Sequence, residues 1–273
     1  MHSCRSHSFR LLTVLGLAVI ASSWFAPGAR AQIAVLGNTV EERAATPGET
    51  YIGTIVVKNL TAVAQAVRIY QTDYSFFSDG TSHFDAPGSL KRSNASWITP
   101  ATGSIALPPS GAITVAYTVR VPMSDTLHGT YWSTIMVEGA ENSPPVTAAK
   151  KVGLGSIMRY AVQVATHLDT GEIGKIAFDK QRVVADSTGT EFLELEVLNT
   201  GEKGYRPLMW MELYDSMGSL RTKVQQQRGL LYPATSVIQK FALGKLAAGS
   251  YKAVVFADTG DDAVFAAEFK LKF

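Results

Sequence analysis

Cysteine is nearly absent. The 273-residue chain holds one, Cys4, so no intrachain disulfide and no cysteine-based metal site is available. Histidine is scarce too: of five in the chain, only His83, His128 and His167 lie beyond residue 31. Each stands alone, so a zinc site would need distant carboxylates, and scattered surface histidines are the expectation. No G-x-S-x-G turn occurs, and Gly153-Leu154-Gly155-Ser156 is a loop entering a strand, not the strand-to-helix turn that cradles phosphates. Asp258-Thr259-Gly260-Asp261-Asp262 gathers three carboxylates, but without the length or spacing of an EF-hand loop; a hairpin turn is expected there. No catalytic residue, metal site or cofactor emerges, and no enzyme is expected.

Long hydrophobic runs are missing as well. Leu11 to Ile20 is apolar, flanked by Arg5 and Arg10, and is followed by Ala29-Arg30-Ala31, the pattern of a secretory signal cleaved after Ala31. The run is shorter than the ~20 residues that cross a bilayer. Cleavage removes Arg5, Arg10, Arg30 and Cys4. It leaves 22 basic against 23 acidic residues from the 25 and 23 of the whole chain, so the electrostatic case for nucleic acid or an anionic membrane disappears. An exported, periplasmic protein without stable membrane insertion follows as the expectation.

A period of 3.6 residues appears nowhere over the dozen residues that an amphipathic helix needs. What is present is alternation. Ile113, Val115, Tyr117, Val119 and Val121 interleave with Ala112, Thr114, Ala116, Thr118 and Arg120, framed by Pro108-Pro109-Ser110-Gly111 and Pro122, as in a strand with one buried face. Gly129-Thr130 then opens a segment with Tyr131, Trp132, Ile135 and Val137, so Ser96 to Gly139 predicts two neighbouring strands of a sandwich. Further strands are predicted at Tyr51–Asn59, Ala66–Tyr74, Trp97–Leu107 and Ser156–Thr166, with a hairpin turn at Ser78-Asp79-Gly80-Thr81.

The polar stretch Asp169 to Gly174 marks a boundary, after which the pattern restarts. Leu193, Leu195 and Val197 alternate, Leu208 to Tyr214 and Tyr251 to Ala257 follow, and Phe265, Ala267, Phe269, Leu271 and Phe273 alternate to the last residue. The expected organisation is a signal at 1–31 and two immunoglobulin-like β-sandwiches at 32–168 and 169–273, each roughly 100 residues. Neither half has the Cys…Trp…Cys pins of antibody domains, so Trp97, Trp132 and Trp210 read as core residues. Asn59-Leu60-Thr61 and Asn94-Ala95-Ser96 match the glycosylation sequon.

Taken in order, Arg43, Pro47-Gly48, Val56-Val57-Lys58-Asn59, Trp97-Ile98 and Leu107-Pro108 resemble the N-terminal domain of the periplasmic pilus-assembly chaperones, over Ile33 to about Leu168. The resemblance implies a two-domain, pilin-like-subunit-binding protein. In that family a pair of basic side chains in the cleft between domains holds the subunit's C-terminal carboxylate, and the last strand of the first domain lends apolar residues to the subunit's groove. By position, Arg43 and Arg159 match the basic pair, and Val152 and Leu154 the donated residues. An Arg on a strand also commonly faces solvent or guards an edge.

The chain departs from the family in two places. Glycines interrupt the donor stretch Lys150 to Ile157, and Gly129-Thr130-Tyr131-Trp132 replaces the family's acidic signature. The pattern Trp97-Ile98, Leu107-Pro108 and Gly129-Thr130-Tyr131 equally resembles the N-terminal domains of Gram-positive surface proteins that bind cell-wall or host ligands. The alternative function is therefore an adhesive module recognising glycan or protein through loops such as Phe76 to Ala86 and Met123 to Gly129. An unpaired sheet edge also makes a homodimer an open expectation.

Overall fold

The computed structural model describes residues 32–100, 103–139, 157–168, 174–260 and 263–273. The signal segment, the donor residues Val152 and Leu154, most of the boundary stretch, and Asp261 and Asp262 lie outside the described residues.

The architecture is all-β, two immunoglobulin-like sandwiches in tandem. In the first, β1 (Ile33–Leu36), β2 (Val40–Ala45), β3 (Thr50–Asn59), β4 (Gln65–Phe76), β5 (Ser82–Asp85), β6 (Ile98–Pro100), β7 (Gly103–Leu107), β8 (Ala112–Arg120), β9 (Gly129–Gly139) and β10 (Arg159–Leu168) form two sheets. One runs β1-β3-β8-β6; the other runs β2-β10-β9-β4, with β5 and β7 both pairing β4. β2 is parallel to β10, whereas β1 is antiparallel to β3, so the segment 33–45 serves both sheets in turn. In the second sandwich, β11 (Ile176–Ala185), β12 (Glu191–Asn199) and β15 (Ser236–Gly244) oppose a sheet ordered β14 (Leu220–Gln227), β13 (Leu208–Asp215), β16 (Ser250–Asp258) and β17 (Val264–Lys272).

Alternation becomes burial directly. Val115, Tyr117 and Val119 of β8 point into the first core, where Val57, Val67, Ile69, Ile135, Val137, Val162 and Val164 are almost wholly buried. The second core centres on Leu193, Leu195, Val197, Met211, Leu213 and Phe241. Each such side chain contributes ~1.5–3 kcal/mol on burial. Gly53 stands opposite Tyr117, and a Cβ there would lie 2.1 Å from the tyrosine ring; the absent side chain makes room for the phenol.

Three sequence expectations change, and the two sequons find a structural role. The stretch Trp97–Leu107 is not one strand: Ala95–Trp97 is a short 3-10 turn, β6 pairs β8, and β7 pairs β4 in the other sheet. Pro100, with no N–H to continue a ladder, sits at the break. β8 and β9 are consecutive but lie in opposite sheets; the connection opened by Pro122 is too long for a hairpin and crosses the ~10 Å between layers. Trp97 and Trp132 are buried, but Trp210 is half-exposed on the outer face of its sheet, flanked by Phe256 at 4.8 Å and Lys223 at 5.7 Å. Both sequon asparagines are fully buried. Asn59 Nδ2 donates to the Val63 and Pro108 carbonyls, and Asn94 Nδ2 to the Val164 carbonyl, so they are structural amides and not glycan acceptors.

Among the described residues no helix is long and apolar enough to cross a membrane.

Candidate functional site

Arg43 stands opposite Thr166 in the pairing of β2 with β10, whereas Arg159 opens β10 seven residues earlier, about 23 Å away at the rise of a strand. The odd separation also turns their side chains to opposite faces. Arg43 lies over the Tyr51 ring at 5.4 Å and 3.8 Å from Glu49. Arg159 Nε lies 2.6 Å from Glu138 Oε2, an ion pair. The structure does not bring the two together, and no single carboxylate reaches both.

Arg159 belongs instead to a row across three strands. Arg68, Glu138 and Arg159 are directly opposite one another on β4, β9 and β10. Arg68 Nη2 lies 3.1 Å from Glu138 Oε1, and the Tyr70 hydroxyl donates to Oε2 at 2.9 Å. Burial works against the ionised Glu138 carboxyl, but the Tyr70 hydrogen bond and the two guanidiniums outweigh it and hold its pKa below the ordinary value.

The segment Gly129-Thr130-Tyr131-Trp132 forms the junction between the sandwiches. The Trp132 indole stacks on Tyr232 with centroids 4.6 Å apart, and its Nε1 donates to the Tyr74 carbonyl at 2.7 Å. Thr130 N donates to Glu202 O at 2.8 Å, and the Glu202 carboxylate meets Arg92 at 2.6 Å and His128 Nε2 at 2.5 Å. Gly129 has φ of 72°, and a Cβ there would lie 2.2 Å from Glu202 O, so the close approach of the two backbones requires glycine. On the other side, Ser78 of the β4–β5 turn and Ser236 of β15 both donate to Glu196 of β12.

His167 completes the junction; His83 and His128 lie at the surface as expected, whereas the His167 side chain is only 19% exposed. Its Nδ1 is 2.8 Å from Thr130 Oγ1, which itself accepts from Gly204 N, and its Nε2 is 3.3 Å from Glu42 Oε2. Because an ionised Glu42 carboxylate can only accept, Nε2 carries the proton toward it and Nδ1 accepts from the Thr130 hydroxyl. Burial lowers the His167 pKa despite the opposing pull of Glu42, with Lys203 and Arg206 adding to the lowering. A histidine whose folded pKa lies below its unfolded value of ~6.5 contributes stability that is complete above that pH and is lost as pH falls toward the folded value. We expect His167→Gln, which keeps a donor for Glu42, to flatten the fall of melting temperature between about pH 6.5 and pH 5. An unchanged slope on titrating both proteins would exclude His167 as its source.

Beside the aromatic stack a cleft of about 290 Å³ is lined by Val40 and Gln163 of the first sandwich and Arg206, Arg228, Leu230 and Val237 of the second. Arg206 is forked onto Glu42, with Nε at 2.7 Å from Oε1. Gln163 Oε1 accepts from the Tyr232 hydroxyl at 2.8 Å. Arg228 differs: its Nε is buried with no hydrogen-bond partner among the described residues, and burial lowers its pKa. A half-buried guanidinium with no counter-charge among the described residues is unfavourable, and its geometry suits a carboxylate. A second cavity of about 660 Å³, lined by Phe77, Leu90, Trp132, Leu198 and Pro233, is mostly apolar, and its rim charges Arg92 and Glu202 already pair.

The cleft adjoins a sheet edge that is open among the described residues. β2 covers β10 only from Gln163 onward, and Gln163 N donates to Thr39 O on that side. By the two-residue period, the N–H and C=O groups of Arg159 and Ala161 face the same side, where they have no strand partner among the described residues. Sequence reasoning missed Arg206 and Arg228. Both sit at strand mouths, in Arg206-Pro207 before β13 and Arg228-Gly229 after β14, but only the fold turns those mouths toward Gln163.

No family model and no curated protein sequence matches the chain. Solved structures do. A chain from the chaperone–tip adhesin complex of CFA/I fimbriae biogenesis aligns at 11% identity, covering 88% of this chain and 98% of that one, with a TM-score of 0.45. The class 5 fimbriae chaperone CfaA aligns at 10% identity over 86% and 98%, TM-score 0.45. The PapD-like domain of human CEP192 aligns at 14% identity over 63% and 100%, TM-score 0.35. At such identities and scores the likeness assigns no function, and what the protein does has to be argued from its site.

Proposed function

We propose that the protein is an exported, periplasmic chaperone-like binding protein without catalytic chemistry. It captures an extended segment of a secreted surface subunit by adding it as a strand along the open edge of β10. The subunit's C-terminal carboxylate is received in the cleft by Arg228 beside Arg206. In this reading the signal ends at Ala31, and the two sandwiches span 32–168 and 169–273.

The observation that carries the reading is the continuity of two unsatisfied features. The backbone groups of Arg159 and Ala161, unpaired among the described residues, lead to Gln163, which lines the cleft holding Arg228 with its partnerless buried Nε. An exposed edge is a template for strand addition, and a half-buried guanidinium with no ion-pair partner suits an anion. A segment running parallel to β10 places its C-terminus at the cleft.

Ala161→Pro tests the reading because proline removes only the N–H that faces the open edge and is tolerated at sheet edges. Purified from its host's envelope, the tagged wild-type protein is expected to bring down a smaller exported polypeptide near one to one. The variant should melt within a few degrees of wild type and recover at most a tenth of that polypeptide. Full recovery by the folded variant would rule out strand addition at this edge.

A further inference from the structure

Charge alternates along the row that crosses the sheet: Arg68 on β4, Glu138 on β9, Arg159 on β10. Directly opposite residues on neighbouring strands share a face and interact most strongly there. The row is out of balance. One nearly buried carboxylate serves two guanidiniums whose side chains are 62% and 57% exposed, against 11% for Glu138. Nε is the Arg159 atom that meets Glu138, at 2.6 Å, and with 57% of the side chain exposed the guanidinium still opens to solvent beyond the row. Arg159 lies on the strand whose outer edge has no partner at this position among the described residues.

Resting on the strand-capture reading above, we infer that Arg159 is a specificity determinant: the captured strand carries an Asp or Glu opposite it. That carboxylate continues the alternation as a fourth member, pairing with the Arg159 guanidinium while Glu138 keeps Nε. A basic residue at the same position places like charges opposite each other, which is unfavourable. With the carboxyl end at the cleft, the acidic position falls about four residues before the C-terminus, the spacing of Arg159 from Gln163 at one residue per strand step.

The probe is a set of ten-residue peptides alternating Val and Thr, with a blocked N-terminus and a free C-terminal carboxylate. Glu, Gln or Lys replaces each Thr in turn. Binding to the full-length mature protein is measured by fluorescence anisotropy. One position should favour Glu over Lys by about fivefold. Arg159→Gln should abolish that preference without abolishing binding, and Arg159→Glu should reverse it. Equal affinity for Glu and Lys at every position, or a preference that persists in both variants, overturns the inference and leaves strand capture standing. Failure of every peptide to bind overturns strand capture, and this inference with it.

Discussion

Trp132→Ala is expected to cost about 3–5 kcal/mol of folding stability, the largest single-residue effect in the molecule. The indole is 3% exposed, stacks on Tyr232, and spends its N–H on the Tyr74 carbonyl. Truncation opens a void beneath Tyr232, removes the stack, and leaves a part-buried carbonyl without its donor. Because Trp132 belongs to the cluster joining the sandwiches, with Ala165 and Tyr232, and not to either sandwich core, the loss falls on their coupling. Urea unfolding of the variant should then broaden or resolve into two transitions. Tyr232→Ala should do the same, and the double variant should lose much less than the sum. A single sharp transition with a loss below about 1 kcal/mol would mean that the stack does not couple the halves.

Arg228→Leu is expected to separate binding from stability. A structural arginine lowers both when removed. Arg228 has a buried Nε with no partner among the described residues, so an apolar replacement should leave the melting temperature unchanged or raise it. Capture of the subunit should weaken about thirtyfold, equivalent to ~2 kcal/mol for one truncated partner of a desolvated charge pair. Urea melts and quantitative pull-down on the same preparations check the two halves together. A destabilised variant with normal capture would return Arg228 to a structural role.

How far the sequence could be read depended on whether local pattern or long-range placement held the information. β8 is legible because Val115, Tyr117 and Val119 face one core while their neighbours face water. β14, reading LRTKVQQQ, is not legible, because an exposed edge strand needs no apolar face. Trp210 read as core because tryptophan is commonly buried; its placement on an outer face, packed between Phe256 and Lys223, is a tertiary choice. Arg43 and Arg159 sit at plausible spacings, yet the register of β2 against β10 and the parity of a strand send them apart. Arg228 carries no local signal, since what distinguishes it is the absence of a partner in three dimensions.

The alternation in Ser96 to Gly139 foretold the sandwich, but its closing segment does a task that periodicity does not reveal. Gly129 has no Cβ where the Glu202 carbonyl approaches, Thr130 bridges His167 and Gly204, and Trp132 stacks on Tyr232. The residues that looked like a departure from one family's pattern are those that hold the two sandwiches together and so shape the cleft between them.

Amide hydrogen exchange at Arg159 and Ala161, in the free protein and in the complex with its co-purified subunit, tests the central claim most directly. Tyr160 and Val162 serve as internal controls, because their amides point the other way, into the ladder with β9. Strand capture at this edge predicts that protection of Arg159 and Ala161 rises at least about tenfold on binding while the controls change little. If the subunit is bound and both amides exchange as fast as in the free protein, the partner is held elsewhere and the account is wrong.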